Sequence, residues 1–196
     1  MNVAVIRLGF MQTLRLFLVL PIVLAGCSPV PSVNDLESLE KITSLSSLPE
    51  FVGQLPPTPQ VRLFEGLPSK WGESDLLESE RRKHRTILRG GFDFYDSPIL
   101  MNDNDIVALS ELIQSTNAFD EWTPYKDCFG FHPDFTTVWQ CKDGDLEIQL
   151  CFGCSEARLF WQDRYLKCDL TDTLDARFKT LLRSYHKKLS HPDTGG

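Results

Sequence analysis

The chain has no apolar run long enough to cross a bilayer. Its longest, Leu16 to Gly26, has 11 residues and contains Pro21, whereas a spanning helix needs about 20. It also lacks a basic stripe: 20 Lys and Arg stand against 27 Asp and Glu, a net charge of −7. Phosphate contacts need clustered cations, so nucleic acid is excluded as a partner. There is no glycine-rich phosphate loop, no H-E-x-x-H, no G-x-S-x-G, no EF-hand loop and no repeat period. What is present is ordinary globular balance, 42% hydrophobic and 24% charged, which excludes wholesale disorder, collagen and coiled coil. At 196 residues it reads as one domain with tails.

The N-terminus reads as an address and an anchor. Residues 1–26 carry Arg7 and Arg15, no acid, and then the short apolar run, the pattern of a signal peptide. Met11 would serve equally as its start. The run ends Leu24-Ala25-Gly26-Cys27, which matches the bacterial lipobox, in which the Cys is acylated and becomes the first mature residue. More than one acyl chain makes such anchoring stable, at about 0.8 kcal/mol per buried CH₂. Ser28 rather than Asp follows, so the expected location is the cell envelope, at the outer membrane facing the periplasm, with palmitate-type chains on Cys27.

Residues 27–60, rich in Pro and Ser, read as a disordered tether. The folded part is expected over 61–188, with a frayed tail at 189–196. Helices are expected from Ser74 to Arg85, from Asn102 or Asp103 to Ser115, and from Thr171 to about Lys188. Thr86 to Tyr95 reads as one strand with a bulge or close approach at Gly90-Gly91. The basic run Arg81 to Arg85 reads as a solvated helix face. Asp143-Gly144 reads as a two-residue hairpin turn. Its register places Phe135, Trp139, Cys141, Leu146, Ile148, Leu150 and Phe152 on one face, and Thr136, Val138, Gln140, Glu147, Gln149 and Cys151 on the other. Strands at Glu156–Trp161 and Tyr165–Leu170 complete an α+β fold: an antiparallel sheet of about four or five strands with two or three helices on one face.

Cysteines carry what chemistry there is. Besides Cys27 there are Cys128, Cys141, Cys151, Cys154 and Cys168. Exported thiols usually pair, and five is odd. The hairpin register makes Cys141 the free, buried thiol beside Trp139. Cys128, Cys151, Cys154 and Cys168 remain as disulfide candidates, with Cys128 expected within reach of Cys151. Cys151-Phe152-Gly153-Cys154 also admits a zinc knuckle completed by Cys128 and His132 or Cys168, or a redox pair. Ser155 in place of His breaks a haem-attachment motif. His132, held extended by Pro133, reads as a turn residue, because no nucleophile of recognisable spacing accompanies it. Trp122, Trp139 and Trp161 read as core or strand-pair residues. No cofactor is expected, with zinc as the alternative.

Several short pieces together resemble a family of exported and lipoprotein-type bacterial proteins without an assigned activity. They are Glu65-Gly66-Leu67-Pro68, Gly91-Phe92-Asp93-Phe94-Tyr95, Gly130-Phe131-His132-Pro133-Asp134, Trp139, Cys151-Phe152-Gly153-Cys154 and Cys168-Asp169-Leu170. They span about Glu65 to Lys188. The resemblance implies one domain in which the cysteine pair matters and the first Cys stands just before G-F-H-P-D, as Cys128 does. Cys141 lies outside that pattern. Members of that kind carry His where Ser155 stands, which weakens a metal role here. The resulting expectation is a lipid-anchored structural or binding module, with no enzymatic motif, whose membrane contact is the N-terminal lipid. The alternative is a zinc- or thiol-dependent periplasmic protein using Cys151 and Cys154.

Overall fold

The computed structural model describes residues 38–57, 60–126, 128 and 130–186. The signal segment, Cys27, the start of the tether and the tail after His186 lie outside the described residues.

A seven-stranded mixed sheet forms the centre. Its strands are β1 (Glu40–Ile42), β2 (Val61–Glu65), β5 (Phe119–Glu121), β6 (Phe135–Cys141), β7 (Gly144–Cys151), β8 (Glu156–Trp161) and β9 (Arg164–Leu170). They run in the order β1-β9-β8-β7-β6-β2, with β5 also on the outer side of β9; only β1 pairs in parallel. Strands β3 (Thr86–Arg89) and β4 (Phe92–Tyr95) form a separate antiparallel pair. The helices are α1 (Leu48–Val52), α2 (Ser74–Lys83), α3 (Asp103–Gln114) and α4 (Asp172–Leu182). The fold is α+β, as expected, but larger than four or five strands and two or three helices.

Pattern explains placement. Alternate residues of the central strands, among them Leu63, Phe135, Trp139, Leu146, Ile148, Leu159 and Leu166, bury one sheet face against Phe51, Leu109, Ile113, Leu174 and Phe178 of α1, α3 and α4. Asn102 caps α3 by accepting the N–H of Asp105 at 2.9 Å, and Thr171 caps α4 by accepting that of Leu174 at 3.3 Å. Helix α2 begins at Ser74 itself, with Glu73 before it and no side-chain cap.

Four expectations need correction. First, the folded part starts well before residue 61. Strand β1 lies at the sheet edge, and Leu48, Phe51 and Val52 are buried in the main core. Their i, i+3, i+4 spacing makes an apolar stripe, and Pro49 sits in the first turn of α1, where its missing N–H costs nothing. Second, Thr86 to Tyr95 is a hairpin. Gly90 and Gly91, at φ +47° and +88°, make the reversal. A Cβ on Gly90 would collide with the Gln149 side chain and the Phe160 ring, so the close approach is also present.

Third, the β6–β7 turn falls at Lys142-Asp143. Cys141 pairs with Gly144, Trp139 with Leu146, and Phe135 with Leu150. The register is therefore two residues from that expected. Side chains alternate with a period of two, so every residue keeps its expected face. Fourth, the helices do not all lie on one face, and the second face is buried as well over β6 and β7. The β3–β4 pair covers it, packing Phe94, Ile87 and Phe92 on Phe64 and Val138. Helix α2 packs on the far side of that pair through Leu77 and Tyr95. The helices are thus divided between two sides.

Candidate functional site

The short pieces of sequence meet at one place. Gly66 donates its N–H to the carbonyl of Asp134 at 2.8 Å, and Leu67 donates to the carbonyl of Asp93 at 3.2 Å. A side chain on Gly66 would run into the Pro133 carbonyl, so only glycine lets these two segments touch. The His132 ring donates from Nε2 to the Leu67 carbonyl at 2.5 Å. In the neutral ring that leaves Nδ1 as the acceptor. Asp134 accepts the Phe152 N–H at 2.7 Å. Glu65, buried at the end of β2, stands 3.2 Å from Nδ1 of His186.

Between these segments lies a cleft of about 350 Å³. Its walls are Leu67, Pro68, Trp71, Leu77, Leu88, Phe92, Phe131 and Pro133, and its polar groups are Ser69, Lys70, Arg81, Asp93 and His132. Phe92 and Phe131 meet edge to face at 5.3 Å. Arg158 lies 3.8 Å over the Phe131 ring from behind. Trp71 stands at the mouth, 55% exposed, with Lys70 over its ring at 5.0 Å. Arg81 reaches from α2 to Asp93 on β4 and to Glu78 on its own helix. The Asp93 hydrogen bond raises the guanidinium above its ordinary pKa, so the charge is fixed. Beneath, Tyr95 donates to Glu80 at 2.8 Å. That bond holds the Glu80 carboxyl below its ordinary value, while burial first and Glu80 second push the Tyr95 phenol up.

The cysteines sit at the back of this wall. Cys128 and Cys154 are bridged, with Cα atoms 5.6 Å apart. Cys151 is free and 3% exposed, its sulfur accepting the His132 backbone N–H at 3.5 Å. Burial pushes its thiol up to about 11. The expected proximity of Cys128 to Cys151 thus resolves with the bridge going to Cys154, because Cys151 points inward from β7 while the following turn carries Cys154 around to Cys128. Cys168 is also free. It faces the main core on β9, fully buried, with burial raising its thiol. Cys141 is free and on the expected face, but at the end of β6, so it is half-buried. Its sulfur stands 3.5 Å from the Trp139 carbonyl.

The proposed zinc set is not assembled in this arrangement: Cys128 and Cys154 are spent on each other, and His132 Nε2 is bonded to Leu67. Among the described residues no group of three or more His, Cys, Asp or Glu stands close enough to hold a metal ion. Nor is any helix among them long and apolar enough to cross a membrane. Trp139 and Trp161 are in the main core, as read from the sequence, whereas Trp122 is partly exposed beneath Lys41 and Lys167.

Sequence reasoning missed Lys70, Trp71 and Arg81 as members of a site. Trp71 lies in a loop, where periodicity says nothing, and Arg81 belongs to the basic run that reads as a solvated helix face. The one available signal was a tryptophan between Ser-Lys and Gly, outside any apolar stripe. No family model, no curated protein and no solved structure matches this chain, so the cleft has to be read from its own chemistry.

Proposed function

We propose that the chain is a lipid-anchored binding module of the bacterial cell envelope, acylated on Cys27, set at the outer membrane facing the periplasm, with the Trp71–Phe131 cleft as its ligand site. One observation carries the reading. Segments as distant as Leu67, Phe92 and His132 converge on one cleft whose wall is pinned by a disulfide. A concave, mostly apolar site with a few placed polar groups is the usual form of a small-molecule pocket. Trp71, Phe92 and Phe131 suit a flat apolar body, and Lys70 with Arg81 suits an anionic or hydroxyl-bearing end, Asp93 supplying the acceptor. Nucleic acid is not the ligand, given the acidic chain. The binding reading is preferred to an enzymatic one because the His132 ring is bonded through Nε2 to the Leu67 carbonyl, and the one thiol beside its backbone, Cys151, is buried with its pKa pushed up.

The site is tested with envelope-derived small molecules, following thermal stability and tryptophan fluorescence. Trp71→Ala and Arg81→Gln should each weaken any ligand-induced shift at least tenfold without changing the fold. A ligand that binds wild type and Trp71→Ala equally would place binding elsewhere. The anchor is tested separately: Cys27→Ala should abolish fatty-acid incorporation and release the protein from membranes, and continued retention would count against acylation.

A further inference from the structure

Three sulfurs occupy one spot behind the cleft. Cys128, Cys151 and Cys154 share a single apolar cluster with Phe131 and Phe92. The other two cysteines of the described chain are in or against the main core on the opposite sheet face. Two of the three sulfurs are bonded, and the third is an unspent thiol in the same cluster. The Cys151 sulfur accepts the backbone N–H of His132 at 3.5 Å, and the Cys154 sulfur stands 3.4 Å from the Gly130 carbonyl, so both cysteines of the turn touch the segment that follows Cys128. The same turn forms a C-x-x-C, whose two cysteines are close enough in sequence to bridge each other.

We propose that Cys151 is the exchange partner of the Cys128–Cys154 disulfide, making these three cysteines an internal thiol–disulfide exchange centre that sets the position of the cleft wall. Cys151 loses its proton and its thiolate attacks Sγ of Cys154. The Cys151–Cys154 bond forms as the Cys128–Cys154 bond breaks, and Cys128 leaves as a thiolate that takes up a proton. One disulfide and one thiol are present before and after, so no oxidant or reductant is consumed.

The consequence lies in what the bridge holds. Cys128 precedes Gly130, Phe131 and His132, two of which line the cleft. The native bridge ties that segment to the β7–β8 turn. In the exchanged form the bond closes within the turn, and the segment is held without a covalent tie, by the Nε2–Leu67 bond, the Phe131 contacts and its other hydrogen bonds. The effect on ligand binding rests on the cleft reading above; the exchange itself does not.

Reaction is slow in the closed structure, because a buried neutral thiol is a poor nucleophile. The charged groups that act on Cys151 are Asp134, just before β6, and Glu156 on β8, both carboxylates that oppose ionisation. Arg158 faces the other side of the Phe131 ring. Exchange therefore accelerates with pH, each unit multiplying the thiolate fraction about tenfold below the thiol's own value.

The test is thiol mapping of the oxidised full chain, incubated at pH 7 or pH 9, quenched in acid, unfolded, alkylated and analysed by non-reducing peptide mass spectrometry. The native form labels Cys141, Cys151 and Cys168. The exchanged form labels Cys128 in place of Cys151. We expect Cys128 labelling to appear at pH 9 about 100 times faster than at pH 7, and to be absent from Cys151→Ser. Independently, air-oxidised Cys128→Ser should contain a Cys151–Cys154 disulfide. Equal Cys128 labelling in Cys151→Ser, or Cys151 and Cys154 both remaining thiols in oxidised Cys128→Ser, would overturn the proposal. All readouts are taken without ligand, so they are decided separately from whether the cleft binds one.

Discussion

The layer between the main sheet and the β3–β4 pair holds a charge pair that should dominate the mutational response of this face. Glu147 on β7 is fully buried and Arg89 at the end of β3 nearly so, with Nη1 3.2 Å from Oε2. Gln149 donates from Nε2 to both Glu147 Oε1 and the Arg89 carbonyl, at 2.9 Å each. Among the described residues Arg89 Nε and Gln149 Oε1 have no partner. A pair so deep gains little net stability, because desolvation offsets attraction, but removing one partner strands the other. Arg89→Met and Glu147→Leu should therefore each cost about 3–5 kcal/mol. In a chain of this size that lowers Tm by roughly 6–20 °C. The joint replacement should recover most of the loss and finish within about 1–2 kcal/mol of wild type, the residue being the bond Gln149 loses. Urea unfolding of the four proteins measures the cycle. If the double variant is as unstable as the sum of the singles, the two residues act independently and the pairing argument fails.

Burial, the largest influence on Glu147, raises its carboxyl above the ordinary 4.5 despite Gln149 and Arg89. A raised carboxyl contributes stability that is complete below pH 4.5 and is lost as pH climbs through its folded value. Glu147→Gln, which cannot ionise, should thus gain on wild type as pH rises; a constant difference from pH 4 to 8 would refute this. Glu80 has the opposite sign: its carboxyl is depressed, so the stability it contributes is present above 4.5 and fades on acidification, and Glu80→Gln should be costly near neutrality and nearly silent in acid. Loss of the Cys128–Cys154 bridge closes off a loop constraint over a separation of 26 residues, worth about 3.5 kcal/mol in the chain-entropy account, and Cys154→Ser should show that loss in calorimetry. Cys168→Ser puts a hydroxyl into the main core and should cost about 1–3 kcal/mol, whereas half-buried Cys141→Ser should cost under about 1; iodoacetamide should reach Cys141 first, and prior alkylation of Cys168 would count against the β9 register.

Much of this architecture was written in short-range signals. The β6–β7 faces, the capped helices α3 and α4, and the β8 and β9 strands follow from alternation and capping alone. The turn shift at Lys142-Asp143 was illegible because a two-residue slip leaves every face unchanged. The early start at β1 was hidden by Pro49, which reads as a breaker until its place in the first helical turn is known. Burial of Glu147 and Gln149 was hidden because alternation only puts them on the face away from Trp139 and Ile148, and it takes the β3–β4 pair, a long-range partner, to make that face interior. The cleft was legible as a set of short pieces but not as a volume. The disulfide partner of Cys128 depended on which way the turn after β7 swings, a matter of three residues.

The position of β1 has a mechanical consequence. Among the described residues β1 is the first strand, with Glu40, Lys41 and Ile42 running alongside Arg164, Tyr165 and Leu166. Just behind, Arg164 grips Glu50 with both terminal nitrogens, at 3.1 and 2.7 Å, and α1 inserts Phe51 into the core. Tension applied to the preceding segment would first strip three parallel pairs and then meet a clamp and a plug. The cleft lies toward β2 and β6, beyond β9, β8 and β7 in the strand order. Load arriving at the β1 edge must cross those strands to reach it, so the first losses under pulling should be at β1, with the Trp71–Phe131 walls still standing.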